Sequence, residues 1–494
     1  MTANEVGAGP RNRLTFRFRG QTVALDRFAP RTTLLDWLRE EAGARGTKEG
    51  CNEGDCGACT VVLSRLRPDG ALSYEPVNAC ILLLGQVDGA ELLTVEDLAE
   101  SGRLHPVQQA MVDFHGSQCG FCTPGIVMSL FAHYHGAPAT RESVNSALAG
   151  NLCRCTGYRP IVDAALTVID GTPHDRFAEL APARLAALEA LPKGDLFVGD
   201  AQSFFAAPAS EDALAALYAE HPDAVLLGGA TDVGLWVTKR QMRLKKIIWL
   251  GRVAGFNDVV ETDDALTLGA GLKLEDAAPL LAGLHPDLGL MMSRFGSMQV
   301  RVSGTVGGNI ANGSPIGDTA PSLIPFGAVL ELRQGDVSRR LPLEDYFLAY
   351  GKQDRRPSEY VRALHVPRLK PHQAYRAFKV SKRFDEDISA VMAAFRFDLD
   401  GRRIVAARAA YGGMAATPKR AAATEAALAG ASLDDPASWE PALAAVGADF
   451  QPLTDMRATA AYRSKVAANL LKRALVEISG VLAPTRLGDL LAAE

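Results

Sequence analysis

Eight cysteines in two sets carry the chemistry that this sequence announces. The first set is Cys51, Cys56 and Cys59, in the stretch Cys-Asn-Glu-Gly-Asp-Cys-Gly-Ala-Cys, completed downstream by Cys80. Thiolates spaced in this way, with Gly54 and Gly57 between them, can wrap one small cluster, because glycine lets the backbone curl at positive φ and turn its amides toward sulfur. The spacing C-x4-C-x2-C…C is that of plant-type 2Fe–2S loops. The second set is Cys119-Gly-Phe-Cys122 followed by Cys153-Arg-Cys155, and the two sets together use every cysteine. Disulfides would suit a small secreted domain, not a long chain without an apolar signal segment. Structural zinc would suit Cys119-x-x-Cys122 alone, but the first set has a spacing unusual for zinc knuckles.

The elements that must position these thiols can be read from periodicity. Residues 13–26 alternate apolar and polar on both sides of Gly20, which predicts a hairpin. Thr33–Ala42 reads as an amphipathic helix with Leu34, Leu35, Trp37 and Leu38 inward, and strands are expected at 60–66 and 90–95. This order is that of a ferredoxin-like β-grasp domain. From residue 96 the period turns helical, over 96–101, 106–115, 124–135, 141–149 and 157–170. Thr123-Pro124 is a helix start directly after Cys122, and Cys155 precedes another near Thr156-Gly157. Helix N-termini stabilise anions, so a helical bundle holding a second cluster at its helix starts is expected.

The 494 residues imply about three domains on length alone. The expected division is a ferredoxin-like domain over 1–92, a helical cluster domain over 93–170, a Pro- and Gly-containing linker over 171–195, an α/β domain over 196–371 and a C-terminal subdomain over 372–494 with an alanine-rich helical tail. The first ten residues read as a frayed tail. A net charge of -5 without a basic block argues against nucleic acid as a partner. No run approaches a membrane span, so a cytoplasmic location and no membrane partner are expected.

Two glycine-rich loops follow short β-like runs. One is Gly228-Gly229-Ala230-Thr231-Asp232, and the other lies in Ser303-Gly-Thr-Val-Gly-Gly-Asn309. Either can let phosphate oxygens approach backbone amides, and either can be an ordinary tight turn. Gly269-Ala-Gly271 lacks the third glycine and the helix of a dinucleotide fingerprint and reads as strand and turn. His133-x-His135 lies in a predicted helix, where residues two apart face different sides, so a metal pair is not expected. No nucleophile elbow and no phosphate-binding Walker loop occur.

Over residues 13–480 these motifs resemble the molybdenum hydroxylase family. Cys51, Cys56, Cys59 and Cys80, then Cys119-Gly-Phe-Cys122-Thr-Pro-Gly and Asn151-Leu-Cys153-Arg-Cys155-Thr-Gly-Tyr-Arg-Pro, resemble that family's two-cluster module. Leu226-Leu-Gly-Gly-Ala-Thr-Asp232 and Thr305-Val-Gly-Gly-Asn309 resemble its FAD loops. Clusters followed by flavin in one chain is an order similar to that of the xanthine dehydrogenases. The implied fold is an α+β multidomain chain: a β-grasp domain, a four-helix cluster-binding bundle and a two-part α+β FAD-binding domain of the vanillyl-alcohol-oxidase type with a C-terminal α/β subdomain.

The resemblance further implies that Leu226, Leu227, Gly228, Gly229, Ala230, Thr231, Asp232 and Val233, with Thr305, Val306, Gly307, Gly308 and Asn309, wrap the FAD pyrophosphate and ribityl chain. Phe295, Asp318, Val361 and Lys379 are further implied FAD contacts, Val361 only by its distance from Pro367 and Lys379. A core phenylalanine and a solvated lysine are the plain readings of Phe295 and Lys379. The acidic run Asp385-Glu-Asp387 falls where the family approaches the flavin ring, or is a solvated loop. The sequence given stops at Glu494, so the resemblance places the molybdopterin and the glutamate base on a large partner subunit, in a dimer of heterodimers, with no catalytic residue in this chain. The implied role is to relay electrons through two 2Fe–2S clusters, the bundle cluster nearer molybdenum, to FAD and on to NAD, as hypoxanthine or xanthine is oxidised to urate. Alternatives are the same role for an aldehyde or N-heterocycle hydroxylase, or a stand-alone NADH:acceptor reductase.

Overall fold

The computed structural model describes residues 9–480 together with Thr485 and Arg486, so most of the expected N-terminal tail and the last residues of the alanine-rich tail lie outside the described residues. The chain forms two compact units. One comprises residues up to Phe256 with Lys273–Glu275 and Gly296–Thr305, and the other comprises Asn257–Leu272, Asp276–Phe295 and Val306 onward.

The first unit begins with the predicted hairpin. Strands β1 (Leu14–Phe18) and β2 (Gln21–Leu25) pair antiparallel, and Arg19 and Gly20 both take positive φ between them, the backbone of a tight two-residue hairpin turn. Strands β3 (Thr60–Ser64), β4 (Glu75–Asn78) and β5 (Glu91–Leu93) complete a sheet of order β2-β1-β5-β3-β4, in which β1 and β5 run parallel. The segment expected to be one helix over 33–42 is a short turn, α1 (Leu34–Asp36), continuing into a wider π-type turn over Trp37–Glu41. Thr33 caps it by accepting from the Asp36 amide, and Leu34, Leu35, Trp37 and Leu38 are buried as the pattern required. Phe16 and Phe18 meet Trp37 edge-on, at 5.2 and 5.5 Å between ring centres.

Four helices follow: α2 (Pro106–Asp113), α3 (Thr123–Tyr134), α4 (Arg141–Leu148) and α5 (Arg159–Val168). The helix expected over 96–101 is a single 3-10 turn over Val95–Asp97, capped at its start by the Asp97 carboxylate, which accepts from the Thr94 amide and hydroxyl, and cut short by a turn at Ser101 and Gly102, both at positive φ, that pairs Glu100 with Arg103. The expected linker is also corrected. Residues 171–195 carry α6 (Arg176–Glu179) and α7 (Ala181–Glu189), anchored by a buried Phe177 and by Arg184, whose guanidinium donates to Glu91, Tyr74 and the Phe177 carbonyl. Proline and glycine at its ends gave a loop reading, but the buried side chains between them hold it to the helical domain.

Strands β6 (Leu196–Asp200) and β7 (Ser203–Ala207), helix α8 (Glu211–Glu220), strand β8 (Val225–Leu227), helix α9 (Val233–Thr238) and strand β9 (Lys246–Trp249) finish the continuous part of this unit, in a sheet of order β6-β7-β9-β8. One apolar core runs from the β-grasp sheet into this sheet, joining Leu14, Phe16 and Leu84 to Phe205, Ile247 and Trp249. That shared core explains why the compact units cut through the expected 196–371 domain.

The second unit holds an antiparallel five-stranded sheet, in spatial order Val259–Glu261, Ala265–Gly269, Tyr360–Pro367, Val329–Gln334 and Val337–Pro342. It also holds an antiparallel meander of Gln373–Val380, Val391–Asp400, Arg403–Gly412 and Lys419–Arg420. The helix Ala460–Ser479 buries Ala467, Leu470, Leu471, Ala474 and Leu475 in the core of that meander. Among the described residues no helix is long and apolar enough to cross a membrane.

Candidate cluster and flavin sites

The register of β3 against β4 places half of the first cysteine set. Thr60 pairs with Asn78, so Cys59, one residue before β3, lies beside the turn that carries Cys80, and the Ala79 amide donates to the Cys59 carbonyl at 3.3 Å. The other half lies on the loop before β3. There Asn52, Gly54 and Gly57 all take positive φ, and the curled backbone aims amides at sulfur: Asp55 and Cys56 donate to Cys51 Sγ at 3.4 and 3.3 Å, and Cys51 donates to Cys56 Sγ at 3.3 Å. Asn78 Nδ2 ties the loop down through the Gly54 carbonyl at 2.8 Å.

All eight cysteines are free thiols. The Cys51 thiol is pulled strongly down by hydrogen bonds from Cys56 and Cys80, and the same bonds push Cys56 and Cys80 up. Sulfurs held this close cannot all ionise unless a cation offsets their charge, and ferric or ferrous iron is such a cation. Among the described residues no three Cys, His, Asp or Glu side chains surround a single point in metal-binding fashion. The four sulfurs instead form one continuous chain, Cys56 to Cys51 to Cys80 to Cys59. One small cluster held by all four thiolates fits that arrangement.

In the second set Cys119 pairs with Cys155 and Cys122 with Cys153. Cys122 is the N-cap of α3, where the sequence placed a helix start, and burial together with Cys153 pushes its thiol up to about 12. The Phe121 amide and Cys155 draw the Cys119 thiol down. The second expected helix start is displaced: α5 begins at Arg159, and Tyr158 before it takes φ +67°. That turn brings the Tyr158 hydroxyl to accept from the Cys153 amide at 2.7 Å, while Thr156 Oγ1 lies 3.2 Å from Cys153 Sγ. His133 and His135 do not share a ligand: His133 bonds Ser143, and His135 Nε2 lies 3.0 Å from the Asp175 carboxylate.

The two cysteine loops abut through backbone. The Leu152 amide donates to the Cys56 carbonyl at 3.0 Å, and a Cβ on Gly125 would fall 2.0 Å from the Gly57 carbonyl oxygen. Asn151, buried, reaches the Gly57 carbonyl through Nδ2 at 3.1 Å and accepts from Ser129 at 2.6 Å. Gln299 Nε2 donates to the same group, at 3.0 Å to Asn151, 3.2 Å to Ser129 and 3.3 Å to Thr60. Nothing in the sequence singled out Gln299; Tyr158 and Asn151 stand inside the cysteine motif and were legible by proximity.

The first glycine loop leaves β8 at Leu227 and enters α9 at Val233, so Leu226 and Leu227 are strand residues and Gly228–Asp232 make the turn, with Ala230 at φ +64°. It packs on the segment Ser303–Thr305 of the same unit. A Cβ on Gly229 would lie 1.8 Å from the Ser303 carbonyl oxygen, and one on Gly228 would lie 2.7 Å from Thr305 Oγ1. Only bare backbone fits at Gly229, and such a cradle suits the close approach of a pyrophosphate.

In the second unit the remaining candidates lie as follows. Val306–Asn312 is helical, so Val306, Gly307, Gly308 and Asn309 form its first turn, and the Asn309 side chain accepts from the Thr319 hydroxyl. Asp318 and Lys379 meet. Lys379 Nζ donates to Asp318 Oδ2 at 2.5 Å, Ser389 donates to Oδ1 at 2.5 Å, and both side chains of the ion pair are buried. Lys379 is therefore no solvated surface lysine. Phe295 follows the helix Pro286–Ser293 and is half-buried, and Val361 is a buried strand residue paired with Leu332. In the acidic run Asp387 closes its own loop, accepting from the Arg383 and Ile388 amides.

Four family models match the chain consecutively: a 2Fe–2S iron-sulfur cluster binding domain over 16–84, a [2Fe–2S] binding domain over 94–166, the FAD binding domain in molybdopterin dehydrogenase over 200–369, and the CO dehydrogenase flavoprotein C-terminal domain over 376–478. Such a chain carries two 2Fe–2S-binding domains and an FAD-binding domain. It belongs to the molybdenum hydroxylase family, of which it carries the iron–sulfur and FAD-binding parts. Xanthine dehydrogenase of Emericella nidulans is 32% identical over 88% of this chain and 36% of its own length. Xanthine dehydrogenase/oxidase of Rattus norvegicus is 32% identical over 80% of the chain and 33% of its own length. The chain thus spans about a third of the length of these curated relatives. Among solved structures, carbon monoxide dehydrogenase from Hydrogenophaga pseudoflava, in a form lacking the Mo-pyranopterin moiety, matches with 26% identity and a TM-score of 0.52 over 55% of this chain and 95% of its own.

Proposed function

We propose that this chain is the electron-transfer subunit of a xanthine dehydrogenase, working in the cytoplasm beside a separate large molybdopterin-binding subunit in a dimer of heterodimers, with NAD as final acceptor. The carrying observation is that the likeness to xanthine dehydrogenases runs through the cluster-binding and flavin-binding segments alike, over 88% of the chain for the Emericella protein. In this reading Cys51, Cys56, Cys59 and Cys80 hold one 2Fe–2S cluster, and Cys119, Cys122, Cys153 and Cys155 hold the other. Leu226–Val233 and Thr305–Asn309 cradle the FAD pyrophosphate and ribityl chain, with Phe295, Asp318, Val361 and Lys379 as further contacts. When bound, these groups supply one-electron relay centres and a flavin able to exchange single electrons for a hydride. The chain's own residues set their surroundings: amides of Cys51, Asp55 and Cys56 donate to sulfur, and the Asp318 carboxylate offsets the charge of Lys379.

A second reading is favoured by the carbon monoxide dehydrogenase neighbours: the same relay serving a molybdenum hydroxylase with another substrate. Purification with any accompanying chain, quantification of iron, FAD and molybdenum, and assay of NAD reduction with xanthine, an aldehyde, an N-heterocycle and carbon monoxide separate the two. Xanthine-dependent NAD reduction by a molybdenum-bearing complex is the expected result. Activity with another of these substrates alone overturns the xanthine assignment, and NADH-driven acceptor reduction by a chain that recovers no molybdenum partner overturns the relay reading.

A further inference from the structure

A cavity of about 390 Å³ in the first unit is lined by Arg31, Thr33, Asp36, Asn52, Gln241 and Arg243, with Val237 and Thr238 behind them. It opens to solvent and contains none of the cysteines and no residue of the glycine loops, although Asn52 belongs to the Cys51–Cys59 loop. Arg31 and Arg243 are exposed, and neither guanidinium has a hydrogen-bond or ion-pair partner among the described residues. Two unpaired guanidiniums facing one cavity offer forked donors of the kind that grip phosphate. Gln241 sits at φ +53°, a left-handed backbone that non-glycine residues rarely take, while the φ of +55° at Asn52 belongs to the curl of the Cys51–Cys59 loop. Outside the rim Arg240 and Lys245 are exposed, while Lys239 is tied to Glu53 at 3.1 Å and to the Cys51 carbonyl at 2.7 Å.

Asp36 decides the ligand class. An exposed carboxylate among these donors would repel a bare phosphate, but it accepts hydrogen bonds from a diol. We propose that this cavity binds a phosphorylated ribose of mononucleotide size, with Arg31 and Arg243 on the phosphate, Asp36 on the sugar hydroxyls, and the Asn52 and Gln241 amides between them. The inference is independent of the function proposed above.

Isothermal titration of the flavin-replete full chain with AMP, inorganic phosphate and adenosine tests it. AMP is expected to bind at one site at least about tenfold more tightly than phosphate or adenosine. Arg31→Gln and Arg243→Gln should each weaken AMP by about tenfold, the size of a lost charge-assisted contact. Asp36→Asn should weaken AMP and leave phosphate unchanged or tighter. All three residues are exposed, and unchanged unfolding midpoints show that the variants fold. No saturable AMP binding, AMP no tighter than phosphate, or AMP affinity unaltered in the Arg31→Gln/Arg243→Gln double variant overturns the proposal.

Discussion

Replacing Gly229 by alanine tests the flavin-loop reading most directly, because the structure fixes what the new methyl group would meet. Its Cβ would fall 1.8 Å from the Ser303 carbonyl oxygen, 2.3 Å from the carbonyl carbon and 2.7 Å from the Gly304 nitrogen. All three are backbone atoms, so no rotamer change relieves the clash. Ordinary contact begins at 3.4 Å, and the loop over 228–232 must therefore move by about 1.6 Å from the segment that carries Thr305. Overpacking of this kind costs about 1–3 kcal/mol, against a gain below about 1 kcal/mol from reduced freedom of the unfolded chain. At Gly228 the nearest atom is the hydroxyl of Thr305, which can turn aside, so Gly228→Ala should be milder. Gly283, with nothing within 4 Å, is the control and should be neutral or slightly stabilised by alanine. FAD retained after gel filtration, measured by absorbance, and urea midpoints should both fall in the order Gly283→Ala, Gly228→Ala, Gly229→Ala. A Gly229→Ala protein with the wild-type flavin ratio and midpoint would refute the claim that this cradle is closed to a side chain.

Gln299→Leu removes the donor shared by Asn151, Ser129 and Thr60, but Asn151 Oδ1 keeps its bond from Ser129 and Thr60 Oγ1 its bond from Asn151, so the first unit should lose only about 1 kcal/mol; urea denaturation reads this. Lys379→Met leaves the buried Asp318 carboxylate without its cation and should cost about 3–5 kcal/mol, whereas Lys379→Met with Asp318→Asn should recover part of that loss in a double-mutant cycle. Cys122→Ser should lower bound iron by about half while FAD stays bound, as metal analysis and visible spectra would show. Glu477 is half-buried, which alone would raise its carboxyl, yet hydrogen bonds from Arg486 and Thr485 hold it at about 2, below its ordinary 4.5. A depressed carboxyl stabilises the fold above its unfolded value, and that contribution disappears as pH falls from 4.5 toward 2. Unfolding midpoints over that window should fall less steeply in Glu477→Gln than in the wild type.

The parts legible in the sequence were those in which a residue's neighbours in the chain are also its neighbours in space. The hairpin at Gly20 and the amide-to-sulfur bonds of Cys51–Cys56 are of this sort, because turn chemistry and loop spacing act over a few residues. Segment 171–195 misled because of its prolines and glycines, whereas Arg184 is fixed by Tyr74 and Glu91, about a hundred residues away, and Phe177 by His105 and Phe131. The short 3-10 turn at Val95 shows the same limit in reverse: a helical period was present, but Ser101 and Gly102 take positive φ in a tight turn that pairs Glu100 with Arg103, and the helix does not continue. Gln299 was unreadable for a stronger reason. A lone glutamine carries no periodic or spacing signal, and its three acceptors come from three elements distant in sequence. Lys379 could be placed near the flavin by resemblance alone, but its burial against Asp318 depends on strand pairing that no local pattern records.

The junction of the two cysteine loops adds a constraint that the cysteine spacing does not contain. Gly57 lies inside the first loop, Gly125 in the first turn of α3 after Cys122, and Gly150 just before the motif that carries Cys153. A Cβ on Gly57 would fall 2.1 Å from the Gly150 carbonyl oxygen, one on Gly125 would fall 2.0 Å from the Gly57 carbonyl oxygen, and one on Gly150 would fall 2.4 Å from Gln299 Oε1. The spaces at Gly57 and Gly125 are thus filled by backbone of the facing segment, and neither can gain a side chain without parting the loops, whereas the space at Gly150 is filled by the side chains of Gln299 and Ser297. Backbone contact of this kind sets a separation that side-chain exchange elsewhere cannot tune, because carbonyls and amides have no rotamers. The approach of the two cysteine loops is therefore set by backbone at Gly57 and Gly125, with the Gln299 side chain packed behind Gly150 and bonded to Asn151.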